Sequence, residues 1–419
     1  MSQTTVDSGA DLTPEQKSPY RWVMATIAGL VMTTSFISLS AFGIVAPSIA
    51  QSIGVNSNTL TIYGVDAFSI GLFVAFFIGH GGIFDTRIGA GVIVAQACLI
   101  IPQFLIPSAD NIYLITALRF FQGFMIMMLA LFSIQLSGWF RSSERGRSLA
   151  FTLGAITLGS AAGGILSGAF SSMSWQVTYY LTGVVMIIGA AIYFAFARSS
   201  QSQRSIIKEA KSVKHRSAWK NPMTWIMGLV QVPVTWVLFS LGGYMTTFTE
   251  HLGYTTSQAT DIVIIWGFVG FAAAFIGGIL GDRWAGLGKT NRQIFNSRLR
   301  IMTIADIFMG AGALLMVAVG GISFYWLVLA VSINALLMMF PPNYWASTGN
   351  VFPVAIMGAG AFGMGLISNS ADAIGPLVSS FMVPDFGWDG VFAIMFIISL
   401  LGVLLNIAVS RSKFGIAPD

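Results

Sequence analysis

Long apolar segments separated by short polar ones follow one another along most of the chain. About 20 apolar residues are enough to cross the hydrocarbon core of a bilayer as an α-helix. This spacing predicts an all-α membrane protein with twelve transmembrane helices in two six-helix halves. The predicted windows are 22–46, 60–80, 89–107, 112–138, 149–171, 177–198, 222–248, 260–281, 301–320, 323–345, 355–382 and 388–410.

Composition supports a membrane protein and excludes several other classes. The 419 residues are 55% hydrophobic and 9% charged, whereas a soluble protein carries about 25% charged residues. Because Cys98 is the single cysteine, a disulfide framework is excluded. The three histidines are scattered along the sequence, so we predict no metal site. The sequence contains no nucleophile–base pair and no phosphate-binding loop. We therefore predict neither an enzyme nor a cofactor, and we do not interpret the net charge of +5 as nucleic-acid binding.

The basic residues predict the orientation, because Lys and Arg concentrate in cytoplasmic loops. With both termini in the cytoplasm, no Lys or Arg falls on the outer side, and Arg119 alone falls within a span. The predicted location is the cytoplasmic membrane. The cytoplasmic set is Lys17, Arg21, Arg87, Arg141, Arg145, Arg147, Arg198, Arg204, Lys208, Lys211, Lys214, Arg216, Lys220, Arg283, Lys289, Arg292, Arg298, Arg300, Arg411 and Lys413.

The polar segments also predict the domain organisation. Residues 1–20 lack the features of a cleaved signal peptide and are predicted to be a retained cytoplasmic tail. Residues 21–198 form the N-half and 222–410 the C-half, with a basic linker at 199–221 and a tail at 411–419. The linker suits contact with anionic lipid headgroups, and a regulatory role is the alternative.

The two halves repeat a short motif at the end of their second span. Gly81 precedes Asp85 by four residues, and Gly278 precedes Asp282-Arg283 by four. Parallel six-helix repeats occur in secondary transporters. With this repeat and its twelve predicted spans, the chain resembles the major facilitator superfamily over essentially its full length. The first copy departs from the family's loop motif, because its second glycine comes one residue late at Gly89 and no basic residues follow.

Two further stretches in the N-half resemble motifs of this superfamily. Arg119-x-x-Gln122-Gly123 is similar to the fourth-helix motif, and Glu144-Arg145-Gly146-Arg147 is similar to the loop between spans 4 and 5. The resemblance implies alternating access and a latch that closes the cytoplasmic side. The expected latch has one cluster of Asp85, Glu144 and Arg145 and another of Asp282 and Arg283. The alternative is that these charges only set topology.

Spans 5, 10 and 11 bear on the type of transporter. Span 5 lacks the Gly-Pro of the superfamily's proton antiporters, which counts against a drug/proton antiporter, and its glycines suit close helix packing. Spans 10 and 11, with Asn334, Pro341-Pro342 and Asp372, resemble those of organic-anion transporters more weakly. In those transporters, glycine often takes the position of Asp372.

Four ionisable residues fall within the spans: Asp66, Arg119, Asp306 and Asp372. Such residues are costly in hydrocarbon and are candidates for function. We predict that Asp66 and Asp372 couple protons, with a structural bond to a neighbouring helix as the alternative for each. Asp306, near Arg298 and Arg300, is predicted to be an interfacial or structural charge.

Arg119 is the candidate anion-binding residue, because its planar guanidinium matches a carboxylate. The alternative is that Arg119 and Gln122 bond to a neighbouring helix such as span 1 and never touch substrate. Gln122, on the same helix face as Arg119, and Trp236 and Asn334, on spans 7 and 10, are the other predicted substrate-binding residues.

The sequence thus predicts a monomeric secondary transporter that moves a small organic anion, plausibly a carboxylate, together with protons. The partners are the small-molecule substrate, the coupling ion and the lipid bilayer. The alternatives are an exporter or exchanger of neutral or lipophilic compounds and a membrane receptor without transport.

Overall fold

The computed structural model of the chain is all-helical over the residues it describes, which are 14–79, 87–170, 173–200, 216–353 and 356–412. Eleven helical segments are long and apolar enough to cross a membrane, and the last contains two helices. The described residues therefore contain the twelve predicted spans. In chain order, α1 to α10 are Tyr20–Ile53, Ser57–Gly79, Ile88–Ser108, Ile112–Ser137, Arg145–Ala169, Trp175–Phe196, Pro222–His251, Thr256–Ala285, Asn291–Val319 and Phe324–Val351.

The last two spans are separated by a glycine. Helical residues run from Met357–Ser368 into Ser370–Arg411, and Gly387 interrupts the second segment with φ 63°. A left-handed backbone at this point is strained for residues other than glycine. We call residues 357–386 α11 and residues 388–411 α12, and their boundary falls in the gap predicted between 382 and 388.

Several helices extend beyond their predicted windows by one or more turns. The window search detects only the bilayer core, whereas α9 begins at Asn291 and α5 at Arg145. Helix α4 contains a 3₁₀ segment at Gly123–Ile126, and α10 contains one at Leu336–Met339. These two segments lie at corresponding places in the fourth span of each half.

Helices α5 and α8 form the closest contact between the halves. A Cβ atom at Gly278 would lie 2.6 Å from the carbonyl oxygen of Gly146, and one at Gly267 would lie 2.5 Å from Cβ of Ala161. Glycine at such positions lets helix backbones approach each other closely. Among the span 5 glycines, a Cβ at Gly154 would lie 3.0 Å from Cβ of Ala274, and one at Gly164 would lie 3.0 Å from Cγ1 of Ile264, so the packing interpretation is confirmed for these two.

At one end of the bundle, basic residues bond to acidic side chains and to backbone carbonyls of neighbouring segments. Arg21 contacts Glu144, Arg147 contacts Asp282, and Arg292 bonds to the end of α12 at Ser410. We call this end the basic end and the other the opposite end. The predicted linker at 199–221 lies mostly outside the described residues, as does Asp85.

Candidate functional site

Asp282 joins the two halves at the basic end. It lies in the last turn of α8, and its carboxylate accepts hydrogen bonds from the backbone N–H groups of Gly146 (2.9 Å) and Arg147 (2.8 Å) at the start of α5. Arg298 of α9 donates to the same carboxylate at 2.9 Å. The unpaired N–H groups of a helix N-terminus favour an anion, so Asp282 both caps α5 and neutralises a buried arginine.

Glu144 extends this cluster to α1. It pairs with Arg21 at 2.9 Å and with Arg147 at 3.6 Å, and Arg147 also lies 3.6 Å from Asp282. Glu144 and Asp282, which the sequence assigned to two separate clusters, therefore belong to one network across the halves.

Arg283 lies outside this network, the predicted cluster of Arg145 with Asp85 falls partly outside the described residues, and Arg298 was not selected from the sequence. Arg145 donates to the carbonyl of Ser137 at 3.4 Å and lies against Gly349, while Arg283 is exposed. Arg298 takes the position beside Asp282 that Arg283 was expected to fill. It was assigned to a loop because the apolar window of span 9 begins at residue 301, yet its side chain is fully buried.

Arg119 lies at the centre of the N-half and is fully buried. Its guanidinium donates to the carbonyl of Ser38 on α1 (3.1 Å), to the carbonyl of Gly64 on α2 (3.3 Å) and to the side chain of Gln122 (2.8 Å). The rings of Phe42 and Phe68 lie 4.3 and 4.6 Å from its Cζ atom, within the range of cation–π attraction.

Gln122 carries this network to the other helices of the N-half. It donates to Gln103 of α3 at 2.7 Å, and Gln103 donates to Thr182 of α6 at 2.8 Å. Helices α1, α2, α3, α4 and α6 are therefore connected through Arg119. These contacts match the predicted alternative in which Arg119 bonds to neighbouring helices, although Nη2 of Arg119 has no hydrogen-bond partner.

Asp66 and Tyr244 connect the halves away from the basic end. The hydroxyl of Tyr244 on α7 donates to the carboxylate of Asp66 on α2 at 3.5 Å, which is a long hydrogen bond. Asp66 is half-buried, and it follows Gly64, the partner of Arg119, by two residues. Nothing in the sequence paired Tyr244 with Asp66.

Asp372 is fully buried on α11, and neither carboxyl oxygen has a hydrogen-bond partner among the residues that the structure describes. Its helix packs against α7, because Thr235 donates to the carbonyl of Ser368 at 2.8 Å and a Cβ at Gly375 would lie 3.0 Å from the carbonyl of Trp236. Residues 368, 372 and 375 share one helix face, so Asp372 lies on the side that faces α7. Trp236 is thereby placed one turn from Asp372.

Asp306 and Asn334 are held within the C-half. Asn406 of α12 donates to Asp306 at 2.8 Å, and Asp306 is fully buried. Asp306 was expected near Arg298 and Arg300, but its hydrogen bond is to Asn406, and Arg298 pairs with Asp282. Asn334 donates to the carbonyl of Met309 on α9 at 3.1 Å, so the structure does not bring it close to Arg119 or to the α7–α11 contact.

A cavity of about 500 Å³ lies between the halves at the opposite end. Helices α2, α7 and α11, with the start of α12, form its walls. Among the described residues, no three His, Cys, Asp or Glu side chains converge as a metal site would require. The cavity-lining residues are Asn58, Thr61, Ile62, Tyr244, Thr247, Glu250, His251, Ser379, Ser380, Val383, Pro384 and Trp388.

Twelve apolar helices in two halves, buried acids beside their contact and a charged network at one end are features of a membrane transport protein. The family model of the Major Facilitator Superfamily matches residues 28–370. The chain belongs to this superfamily, whose members are transporters and not enzymes.

Two individual comparisons agree with this family. The hexuronate transporter of Bacillus subtilis (strain 168) is 24% identical to the chain over 408 residues, which cover 92% of each protein. The solved structure of the proton:xylose symporter XylE, bound to 6-bromo-6-deoxy-D-glucose, is similar in fold with a TM-score of 0.72. The match covers 93% of this chain and 95% of that one at 13% identity.

Proposed function

We propose that this protein is a secondary active transporter of a small organic anion, moved together with protons by alternating access between its halves. The similarity to a hexuronate transporter supports an acidic substrate of sugar size. The observation that carries the proposal is that Asp66 meets Tyr244 of α7 at the contact between the halves, while Asp372 is buried at the contact of α7 and α11 within the C-half.

Asp66 and Asp372 are the proposed proton carriers. Asp372 is buried without a hydrogen-bond donor, and Asp66 has one long hydrogen bond from the other half. A carboxylate without donors is unstable in a low-dielectric environment. A change in hydration during alternating access therefore shifts such a group between its protonated and ionised forms, which couples a proton to the movement.

Arg119 and Gln122 are proposed to organise the N-half. From α4, their network reaches α1 and α2 through backbone carbonyls, α3 through the amide of Gln103 and α6 through the hydroxyl of Thr182. A direct contact between Arg119 and the substrate carboxylate stays a prediction, for which Nη2 is the remaining donor. Trp236, one turn from Asp372, is proposed to contact substrate, whereas the contacts of Asn334 favour a structural role.

The charged network at the basic end is proposed to be the gate on that side. Asp282 would have to separate from Gly146 and Arg147 at the start of α5 before the path opens there, whereas the pairs Arg298–Asp282 and Arg21–Glu144 each lie within one half. We place this end in the cytoplasm because of its basic residues. Among the described residues, no hydrogen bond or ion pair connects Arg283 to this network, so Arg283 is left out of the proposed gate.

The test uses purified protein in liposomes with an internal pH dye. D-glucuronate, succinate, neutral sugars and lipophilic cations are added outside in turn. We expect organic-anion-dependent proton influx in the wild type and its loss in Asp372→Asn, while labelled anion still exchanges across the membrane. Asp306→Asn is the matched control, because it removes the charge of an equally buried acid that Asn406 holds between α9 and α12, and it should keep proton influx.

Arg119 is tested in the same assay with Arg119→Lys. An organising role predicts reduced rates for all substrates together with lower thermal stability, because Lys cannot donate in three fixed directions. A substrate role predicts a raised KM for the anion with unchanged stability. Proton efflux driven by cations, with no response to any anion, would contradict anion symport and favour the exporter.

A further inference from the structure

We propose that the cavity between α2, α7 and α11 at the opposite end is a binding site for a hydroxyl-rich ligand, namely a sugar or sugar acid. The cavity lies between the halves, and its volume of about 500 Å³ falls within the range of small-molecule sites, roughly 300–1,000 Å³. This inference rests on the proposed transport function and assigns a location and a chemical selectivity to substrate binding.

Three of the hydroxyl groups that line the cavity are committed as donors to their own helices. Thr61 donates to the carbonyl of Ser57 (3.0 Å), Ser379 to Gly375 (2.8 Å) and Ser380 to Leu377 (2.7 Å). A hydroxyl has one hydrogen and two acceptor lone pairs, so these oxygens offer acceptors to the cavity. A ligand that complements them must bring donors, and a sugar brings several hydroxyl hydrogens.

Two aromatic side chains line the cavity beside these acceptors. Tyr244 and Trp388 lie with ring centroids 6.3 Å apart, and Phe248 packs against Trp388 at 5.4 Å from behind. Trp388 is 8% exposed, so its ring is held in place before a ligand arrives. Fixed aromatic rings beside hydrogen-bonding groups suit the C–H faces of a sugar ring, which are apolar, and its polar rim.

The charges at the cavity favour recognition by hydroxyl groups over recognition by a carboxylate. No Lys or Arg is among the described residues that line it; the ionisable ones are Tyr244, Glu250 and His251. Glu250 already accepts a hydrogen bond from Thr256 at 2.7 Å. A simple carboxylate would meet neither a fixed arginine nor a fixed lysine here, so the number of hydroxyl groups should determine affinity.

The cavity connects directly to a proposed proton carrier. Asn58, Ile62 and Asp66 succeed one another at i, i+4 spacing on one face of α2, so Asp66 lies one turn below the lining residue Ile62. Tyr244 lines the cavity and donates to Asp66. A ligand that occupies the cavity therefore contacts the residue that bonds to Asp66, which gives binding a direct route to proton coupling.

Equilibrium binding to the full chain in lipid nanodiscs tests the site without transport. The probes are D-glucuronate, D-xylose and succinate at the same pH and ionic strength. We expect both hydroxylated compounds to bind and succinate to bind at least about tenfold more weakly. Equal binding of succinate, or no binding of either hydroxylated compound, would overturn the proposal.

Substitutions locate the bound ligand. Thr61→Val and Ser379→Ala each remove one acceptor and should weaken D-glucuronate binding about fivefold, the size expected for one hydrogen bond. Thr303→Val is the matched control: its hydroxyl also bonds to its own helix, at Leu299 (2.8 Å), and it lines a groove at the basic end. Unchanged affinity in both cavity variants would contradict the site.

If one of these variants does not fold, the rate of cysteine labelling at the cavity tests whether the ligand binds there. With Cys98→Ala as background, Asn58→Cys places one thiol at the cavity, where the hydroxylated ligand should slow its reaction with a membrane-impermeant maleimide at least threefold. Absence of protection at saturating ligand would count against the site. Binding and protection without proton-coupled flux would leave the site in place and refute the proposed symport, so the two proposals fail separately.

Discussion

The two ends of the interface between the halves are held together in different ways. At the basic end, Asp282 accepts three hydrogen bonds of 2.8–2.9 Å from α5 and α9 and is almost completely buried. At the opposite end, Tyr244 and Asp66 share a single hydrogen bond of 3.5 Å beside a cavity of about 500 Å³. Short hydrogen bonds to a charged group are strong, whereas a hydrogen bond of 3.5 Å is weak, so the basic end is the more strongly bonded.

The structure shows one arrangement of the halves. At the basic end, Asp282 joins α8 to α5 beside a cavity of about 880 Å³, and at the opposite end a cavity of about 500 Å³ reaches toward Asp66. Leaving this state requires Asp282 to release the start of α5, and it exposes Arg298. Closing the opposite end requires the walls of the cavity to approach each other. We therefore expect the opposite end to close when the basic end opens.

Removing Asp282 should have the largest effect on this comparison. Asp282→Ala leaves the buried charge of Arg298 without its carboxylate and should destabilise the protein by about 3–5 kcal/mol, the usual cost of breaking a buried ion pair. Thermal unfolding in nanodiscs measures the loss. Asp261→Ala, which removes an exposed acid from the other end of the same helix, should change stability by less than about 0.5 kcal/mol.

A second substitution shows whether the unpaired charge of Arg298 causes the loss of stability in Asp282→Ala. Asp282→Ala combined with Arg298→Met removes both members of the buried pair, and stability should recover in part. If the double variant is as unstable as the sum of the single variants, the capping of α5 by Asp282 matters more than the ion pair.

Weakening the contact at the opposite end should have a smaller effect. Tyr244→Phe removes one long hydrogen bond and keeps the ring, so it should cost about 0.5–1.5 kcal/mol. The impermeant-maleimide reaction of Asn58→Cys in the Cys98→Ala background should change about two- to fivefold. Tyr254→Phe is the control, because its hydroxyl bonds to Gly320 within the C-half at 2.8 Å. An equal change in both variants would show that the Tyr244–Asp66 bond does not hold the halves together.

The sequence predicted the parts of the fold that depend on apolar length. The break between spans 9 and 10 at Gly320 and the break between spans 11 and 12 both lie where the windows placed them. The burial of Arg298 could not be predicted, because it depends on α9 extending two turns beyond its apolar window to meet Asp282. A window search assigns such a polar extension to a loop.

The candidate site was predictable in its residues but not in its pairings. Arg119 stood out as the one basic residue within a span, yet two of its partners are the carbonyls of Ser38 and Gly64, and backbone carbonyls leave no signal in a sequence. Tyr244 and Asp66 lie 178 positions apart. The sequence alone does not show which residues of the two halves are in contact, so it could not predict that Tyr244 bonds to Asp66.

The most direct test of the account is whether the two ends move in opposite directions. Pairs of spin labels at Arg87→Cys with Leu287→Cys, and at Thr59→Cys with Asp385→Cys, report the basic and the opposite end in the Cys98→Ala background. Introducing Asp282→Ala should lengthen distances in the first pair and shorten them in the second, as measured by double electron–electron resonance. Lengthening at the basic end with no change at the opposite end would contradict the account.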